Sequence, residues 1–384
     1  MRKIAYKNIY LGLLCLEAFA VIMNVAAMSG LVPAIATTFH ISNFTAGKII
    51  VVYMIPYGIS ALFYGYIGDR VSKKAVKVTC SLAFVIFSIL CGLAISFKAI
   101  IIFRGLSGVV AASTIPISLT LIGDMFPKEE RGRAVGIFLS TTYFSTVSGV
   151  FLSGILNWRW MFLLPALVGL VAWGLIFFFL PDSEITYKGE RETYWKILFS
   201  KEGIMVYCYI ILTSFMMNGI YSWLGVFLYQ EHQMGQFQIS TLLTLTGIGS
   251  VFGGLIGGIL SDKWGKVTMV ISGSFLTAAA VHIFTSQILF ISIAVALLIY
   301  GIGRTINHGS LVTMLTDFPT ESRSKAVSLN SFIRFISGGM GTIITGVFVR
   351  EDFQSTFTIY AIILILCSAV AYPILTPKRM LMLK

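Results

Sequence analysis

Five ionisable side chains stand inside long apolar runs of this 384-residue chain, Glu17, Arg104, Arg304, His308 and Arg334. Each is costly in hydrocarbon unless paired, hydrated or used, so each is a candidate for function. Glu17 lies ten residues past Lys7, about 15 Å along a helix, and is the only acid deep in any run. A carboxyl there can take up a proton near neutral pH and release it when the site opens to the other side. The same residue could serve as a structural ion pair or hydrogen bond. Arg104 either faces polar partners, tuning a proton site or touching a ligand, or snorkels toward the surface near Lys98. Arg304 and His308 share a helix face one turn apart, beside Asn307, and histidine titrates in the physiological range. Arg334 lies nine residues beyond Lys325, again near mid-depth. Asn24, Asn218, Tyr53, Tyr57 and Tyr221 could add hydrogen bonds.

Other chemistries are excluded. The five cysteines, Cys15, Cys80, Cys91, Cys208 and Cys367, show no metal-ligand spacing and read as small packing residues. No phosphate-binding loop of the GxxxxGK[ST] type occurs, which argues against ATP as the driver. No nucleophile-base, metal or paired-carboxylate constellation gathers, so neither an enzyme nor a cofactor is expected.

The elements that must hold these residues are set by composition. The chain is 57% hydrophobic and 11% charged, with a mean hydropathy of +0.89, whereas soluble domains carry about 25% charged residues. Bilayer is the expected solvent. A crossing helix needs roughly 20 apolar residues. Twelve such runs begin near Ile9, Ile49, Val76, Ala99, Ala134, Met161, Gly203, Ser240, Val267, Ile288, Ala326 and Phe353, with no β-barrel alternation. The expected fold is an all-α membrane protein of two six-helix bundles, 1–182 and 202–384, joined by a cytoplasmic linker over 183–201. The start, Met1-Arg2-Lys3, precedes a run too long for a cleavable signal. Lys48, Lys98, Arg159 and Arg350 fall on one side of the membrane and Arg104, Arg304 and Arg334 inside it. All other Lys and Arg residues fall on the opposite side, which places both termini in the cytoplasm of an inner, or cell, membrane. The net charge of +12 is then a topology signal reinforced by anionic lipid, not a nucleic-acid footprint.

The two halves repeat. Gly65-Tyr66-Ile67-Gly68-Asp69-Arg70-Val71-Ser72-Lys73-Lys74 returns as Gly258-Ile259-Leu260-Ser261-Asp262-Lys263-Trp264-Gly265-Lys266, with Asp262 193 positions after Asp69. Pro127 to Val135 likewise returns from Pro319. Over the whole chain these motifs resemble the major facilitator superfamily of twelve-helix secondary transporters, whose loop between spans 2 and 3 reads Gly-x-x-x-Asp-Arg-x-Gly-Arg-Lys. Ser72 departs from the second glycine, which Gly265 keeps. The resemblance implies a gating role in the outward-open state, with Gly65, Asp69, Arg70, Lys73 and Lys74, and Gly258, Asp262, Lys263 and Gly265 in the second copy. Asp69 and Arg70 are then expected to pair with charges near spans 4 and 11, with Asp124, Arg131 and Arg133 as candidates. Arg104 through Ala112 is similar to the Arg-x-x-x-Gly-x-x-Ala-Ala signature of proton-coupled members. Ser148 to Gly154 lacks the proline of the drug-antiporter pattern, while Trp158 to Phe162 and Pro165 look exporter-like.

The resemblance also puts spans 1, 4, 7 and 10 around a central cavity. The expected function is proton-coupled transport, read as efflux by alternating access, with Glu17 and His308 carrying protons. Asn24, Tyr57, Arg104, Asn218, Tyr221, Arg304, Asn307 and Arg334 are the expected contacts to a small-molecule substrate. Three arginines against one glutamate favour an anionic, zwitterionic or neutral polar substrate. Alternatives are a proton or sodium symporter for an organic anion, and a non-transporting receptor on the same fold. A monomer is expected. The copies are expected to agree in their cytoplasmic loops and to disagree inside the membrane, Glu17 matching Tyr209 and Arg304 matching Ala112.

Overall fold

A computed structural model describes residues 6–182, 198–286, 289–315 and 320–375. Contacts divide the chain into two compact units, Met1–Glu190 and Arg191–Lys384. The first contains α1 (Lys7–Ala26), α2 (Met28–Phe39), α3 (Asn43–Arg70), α4 (Lys73–Gly92), α5 (Phe97–Ala111), α6 (Thr114–Met125), α7 (Lys128–Leu152) and α8 (Trp160–Phe179). The second contains α9 (Lys201–Gln230), α10 (Gln236–Trp264), α11 (Lys266–Ser286), α12 (Phe290–Leu315), α13 (Thr320–Phe348) and α14 (Phe353–Leu375). Among the described residues, twelve helical stretches are long and apolar enough to cross a membrane, α5 and α6 counting as one. No strand occurs among the described residues.

Four helices, α3, α7, α10 and α13, begin a turn or more before the apolar runs, because capping rather than hydropathy sets a helix start. The hydroxyls of Ser42, Ser72, Ser96 and Ser200 accept the backbone N–H of Thr45, Ala75, Ala99 and Gly203, relieving amides that no preceding carbonyl can reach. The charged segment before Ala134 is itself helical, with Glu129 and Glu130 in the favourable first turn of α7. The expected start at Ile288 and most of the expected linker, 183–197, lie outside the described residues. Capping also accounts for Ser72 in the repeated motif. It closes the N-terminus of α4, whereas Gly265 takes φ +88°, where side chains are strained. Pro116 removes the amide that would bond to the Ala112 carbonyl, and the crossing is interrupted between α5 and α6.

The units share one packing plan. In the first, α1 lies on α7 and α8, α4 on α8 and α5, and α3 on α5. In the second, α9 lies on α13 and α14, α11 on α14 and α12, and α10 on α12. Glycines permit this closeness. A Cβ on Gly108 would come within 2.5 Å of the Tyr53 carbonyl oxygen, and one on Gly301 would overlap that of Thr246. Gly301 and Thr246 each lie 193 positions beyond Gly108 and Tyr53. Gly149 against Met23 and Gly341 against Phe215 repeat the relation at 192 positions. The copies therefore agree inside the membrane as well as in the loops, wherever backbones touch. We expect Gly341→Val to force α9 and α13 apart and lower stability by about 1–3 kcal/mol, the cost of overpacking, read as a fall in the thermal midpoint in detergent. Gly258→Val, where a Cβ meets open space, should leave that midpoint unchanged. Outward-facing Phe178, Ile259, Ile291 and Tyr372 are exposed, as a lipid-facing surface requires.

Candidate functional site

Glu17 is not isolated. Lys77 of α4 donates to its Oε2, and Ser81, one turn further along α4, donates to its Oε1 at 3.0 Å. The Lys77 ammonium also donates to the Thr114 carbonyl at 3.3 Å. Lys77 is 0% exposed and Glu17 2%, so this ion pair is withdrawn from solvent. Lys77 therefore belongs to the interior of its unit and not to the cytoplasmic loop residues, where the charge pattern puts it. Because α4 starts at Lys73, residues 73, 77 and 81 form one stripe. Lys73 reaches Asp124 at 2.9 Å, while Lys77 and Ser81 reach Glu17. That Lys-x-x-x-Lys-x-x-x-Ser spacing is the sequence signal by which Lys77 could be found. The interior charge balance gains a fourth cation.

Arg104 does not snorkel. It is 1% exposed, and its guanidinium donates to the Asn24 Oδ1 of α1. The Asn24 amide in turn donates to the Met161 carbonyl at 3.1 Å. The Tyr53 ring lies 4.3 Å from the guanidinium carbon and the Phe162 ring 5.6 Å, so two aromatic faces carry part of the charge. Tyr57 stacks near Tyr53, with ring centres 5.7 Å apart. No carboxylate pairs with Arg104 among the described residues. Its Nε and the Tyr53 hydroxyl have no hydrogen-bond partner there.

The second unit builds a related arrangement. Arg304 donates to the Asn218 Oδ1 at 3.1 Å and lies 4.8 Å from the Tyr221 ring. An arginine of the fourth crossing thus meets an asparagine of the first in both units, although the residues occupy different registers in the repeat. His308 pairs across helices, with Arg334 Nη1 2.7 Å from its Nε2. Asn307 stands apart. Its amide donates to the Val270 carbonyl at 3.0 Å and to Ser274 at 2.8 Å, holding α12 on α11.

At the loop ends, Arg131 donates to the Gly123 carbonyl at 2.7 Å, Arg133 is exposed and Lys74 is half-buried. Gly65 and Asp69 fall in the last turns of α3, and the Asp69 side chain lies outside the described residues. Gly258, Asp262 and Lys263 end α10 and are exposed. Of the cysteines, Cys208 is exposed on α9 and the others are buried or half-buried, so Cys208 is not a packing residue within its unit.

A duplicated bundle of twelve apolar crossings with charged groups held inside is the architecture of a membrane carrier. The family model of the Major Facilitator Superfamily matches residues 14–342 and 228–381, and the chain belongs to that family. It is a transporter, not an enzyme. The uncharacterized MFS-type transporter YwfA of Bacillus subtilis (strain 168) is 25% identical over 367 residues, 92% of this chain and 89% of the relative. Multidrug resistance protein 1 of the same organism is 22% identical over 363 residues, 91% of this chain and 92% of the relative. The crystal structure of a D-xylose-proton symporter superimposes with a TM-score of 0.80 over 97% of this chain and 98% of that one, at 16% identity. That last likeness concerns the fold.

Proposed function

We propose that this transporter is proton-coupled and exports a small polar or amphipathic molecule by alternating access. The observation that carries the reading is the buried Glu17–Lys77 pair. Protonation of Glu17 cancels its charge, breaks the pair and leaves Lys77 as an interior cation; deprotonation restores it. Such a group has two charge states that can favour two conformations. Likeness to a multidrug resistance protein supports export. Arg104 with Asn24 and Tyr57, and Arg304 with Asn218 and Tyr221, serve as substrate contacts, while Asn307 is assigned to packing. The Lys73–Asp124 pair belongs with Asp69 and Arg70 to a cytoplasmic gate. The protein works as a monomer in the cell membrane, with both termini in the cytoplasm.

A second reading, symport of an organic anion, is favoured by Arg104, Arg304, Arg334 and Lys77 outnumbering Glu17. Substrate is first identified by metabolite accumulation in a deletion strain. In proteoliposomes carrying a pH-sensitive dye, export by antiport requires protons to move opposite to that substrate. Movement in the same direction establishes symport, and substrate movement without proton movement removes coupling altogether.

A further inference from the structure

Arginine has only donors, so the Arg334–His308 contact requires His308 Nε2 to accept and the ring to be neutral, with its hydrogen on Nδ1. The charged groups acting on His308 are Arg334 from α13 and Arg304, one turn earlier on α12. From α9 the titratable neighbour of this cluster is Tyr221, under Arg304. On α10 the only ionisable residues, Asp262 and Lys263, lie in the last turn. On α11 Lys266 reaches the Thr313 carbonyl at 3.3 Å and His282 is exposed. The acids among residues 203–375 are Glu231, Asp262, Asp317, Glu321, Glu351 and Asp352, and none falls between the first and last turns of α9–α14. The bundle therefore concentrates positive charge without an interior carboxylate of its own.

We propose that Arg304, Arg334 and His308 form a coupled site that takes up the carboxylate of an organic anion together with one proton. The carboxylate engages both guanidiniums, drawing Arg334 off His308 Nε2. A solvent proton then bonds to that nitrogen, and the new N–H donates to the carboxylate. Anion and proton each favour the other by electrostatic linkage. The Tyr221 ring, 4.8 Å from Arg304, and the Phe335 ring, 5.1 Å from Arg334, fix the guanidiniums and offer flat apolar surfaces, which suit a ligand with an aromatic body. The proposal deepens the second reading, symport of an organic anion, and rests on it for the role of the site.

Benzoate is the probe, since a carboxylic acid of pKa ~4 stays ionised throughout the neutral range. Titration calorimetry of the purified full chain in detergent should show benzoate affinity falling about tenfold for each unit rise in pH, the slope of one proton bound with the ligand. His308→Gln should retain binding and lose the slope. Arg304→Gln should weaken binding more than about tenfold at every pH. Absence of binding to the wild type, a flat wild-type profile, or unaltered affinity in Arg304→Gln overturns the proposal. Should His308→Gln fail to fold, the wild-type slope and its calorimetric proton count decide alone. Proton-linked benzoate binding in a protein whose protons move opposite to its substrate would refute symport and leave this site standing. Protons moving with the substrate, alongside pH-independent benzoate binding, would do the reverse.

Discussion

Glu17→Gln is expected to abolish transport driven by a pH gradient while leaving substrate exchange across the membrane intact. Glutamine copies the protonated carboxyl in shape and cannot ionise, so a step needing both charge states stops there. Exchange at equal pH needs only the protonated form. The same change should destabilise the first unit, because Lys77 is fully buried against Glu17 and its ammonium would be left uncompensated. Removing one member of a buried ion pair costs about 3–5 kcal/mol. The lower end applies here, since the amide oxygen of the introduced glutamine can still accept from Lys77. Adding Lys77→Met should restore the thermal midpoint without restoring coupling. Gradient-driven transport surviving in that double variant would show that the pair holds α1 to α4 and carries no proton.

Arg104→Met is expected to do the opposite, reducing transport more than about tenfold while moving stability by less than about 1 kcal/mol. A desolvated charge without a counter-ion is itself unfavourable, and methionine fills much of the space between Tyr53 and Phe162 with an apolar stem. The cost that remains is the Asn24 Oδ1 losing its donor, worth about 1 kcal/mol and partly offsetting that gain. Loss on the transport side follows if the guanidinium, whose Nε has no hydrogen-bond partner among the described residues, binds substrate. Unaltered transport with a fallen midpoint would make Arg104 a packing residue.

Much of the architecture was legible because hydropathy is a local property. Twelve apolar runs, the repeated Gly-x-x-x-Asp loop and the deep positions of Glu17, Arg104, Arg304, His308 and Arg334 follow from counting along the chain. Helix starts were less legible. The polar first turn of α3 and the charged first turns of α4 and α7 look like loop to a hydropathy count, yet Ser42, Ser72 and the acids after Pro127 make them helix. That misreading hid Lys77, which sits at the second position of the Lys73–Lys77–Ser81 stripe.

The sequence by itself determined the solvent of this protein, its duplication and which charges must be reconciled with hydrocarbon, since each depends only on residue type and spacing. Tertiary structure decided the partners. His308 stands one turn from Arg304 along its own helix, yet its hydrogen bond goes to Arg334 on another. Arg104 turns to Asn24 rather than to the surface, and Asn307, beside His308 in sequence, serves α11. Those choices depend on how each helix is rotated about its axis and how closely its neighbours approach, which is settled by contacts such as Gly108 on Tyr53 and Gly301 on Thr246. Residues 192 or 193 positions apart in sequence thereby build the same packing, while the charges placed on that packing differ between the halves.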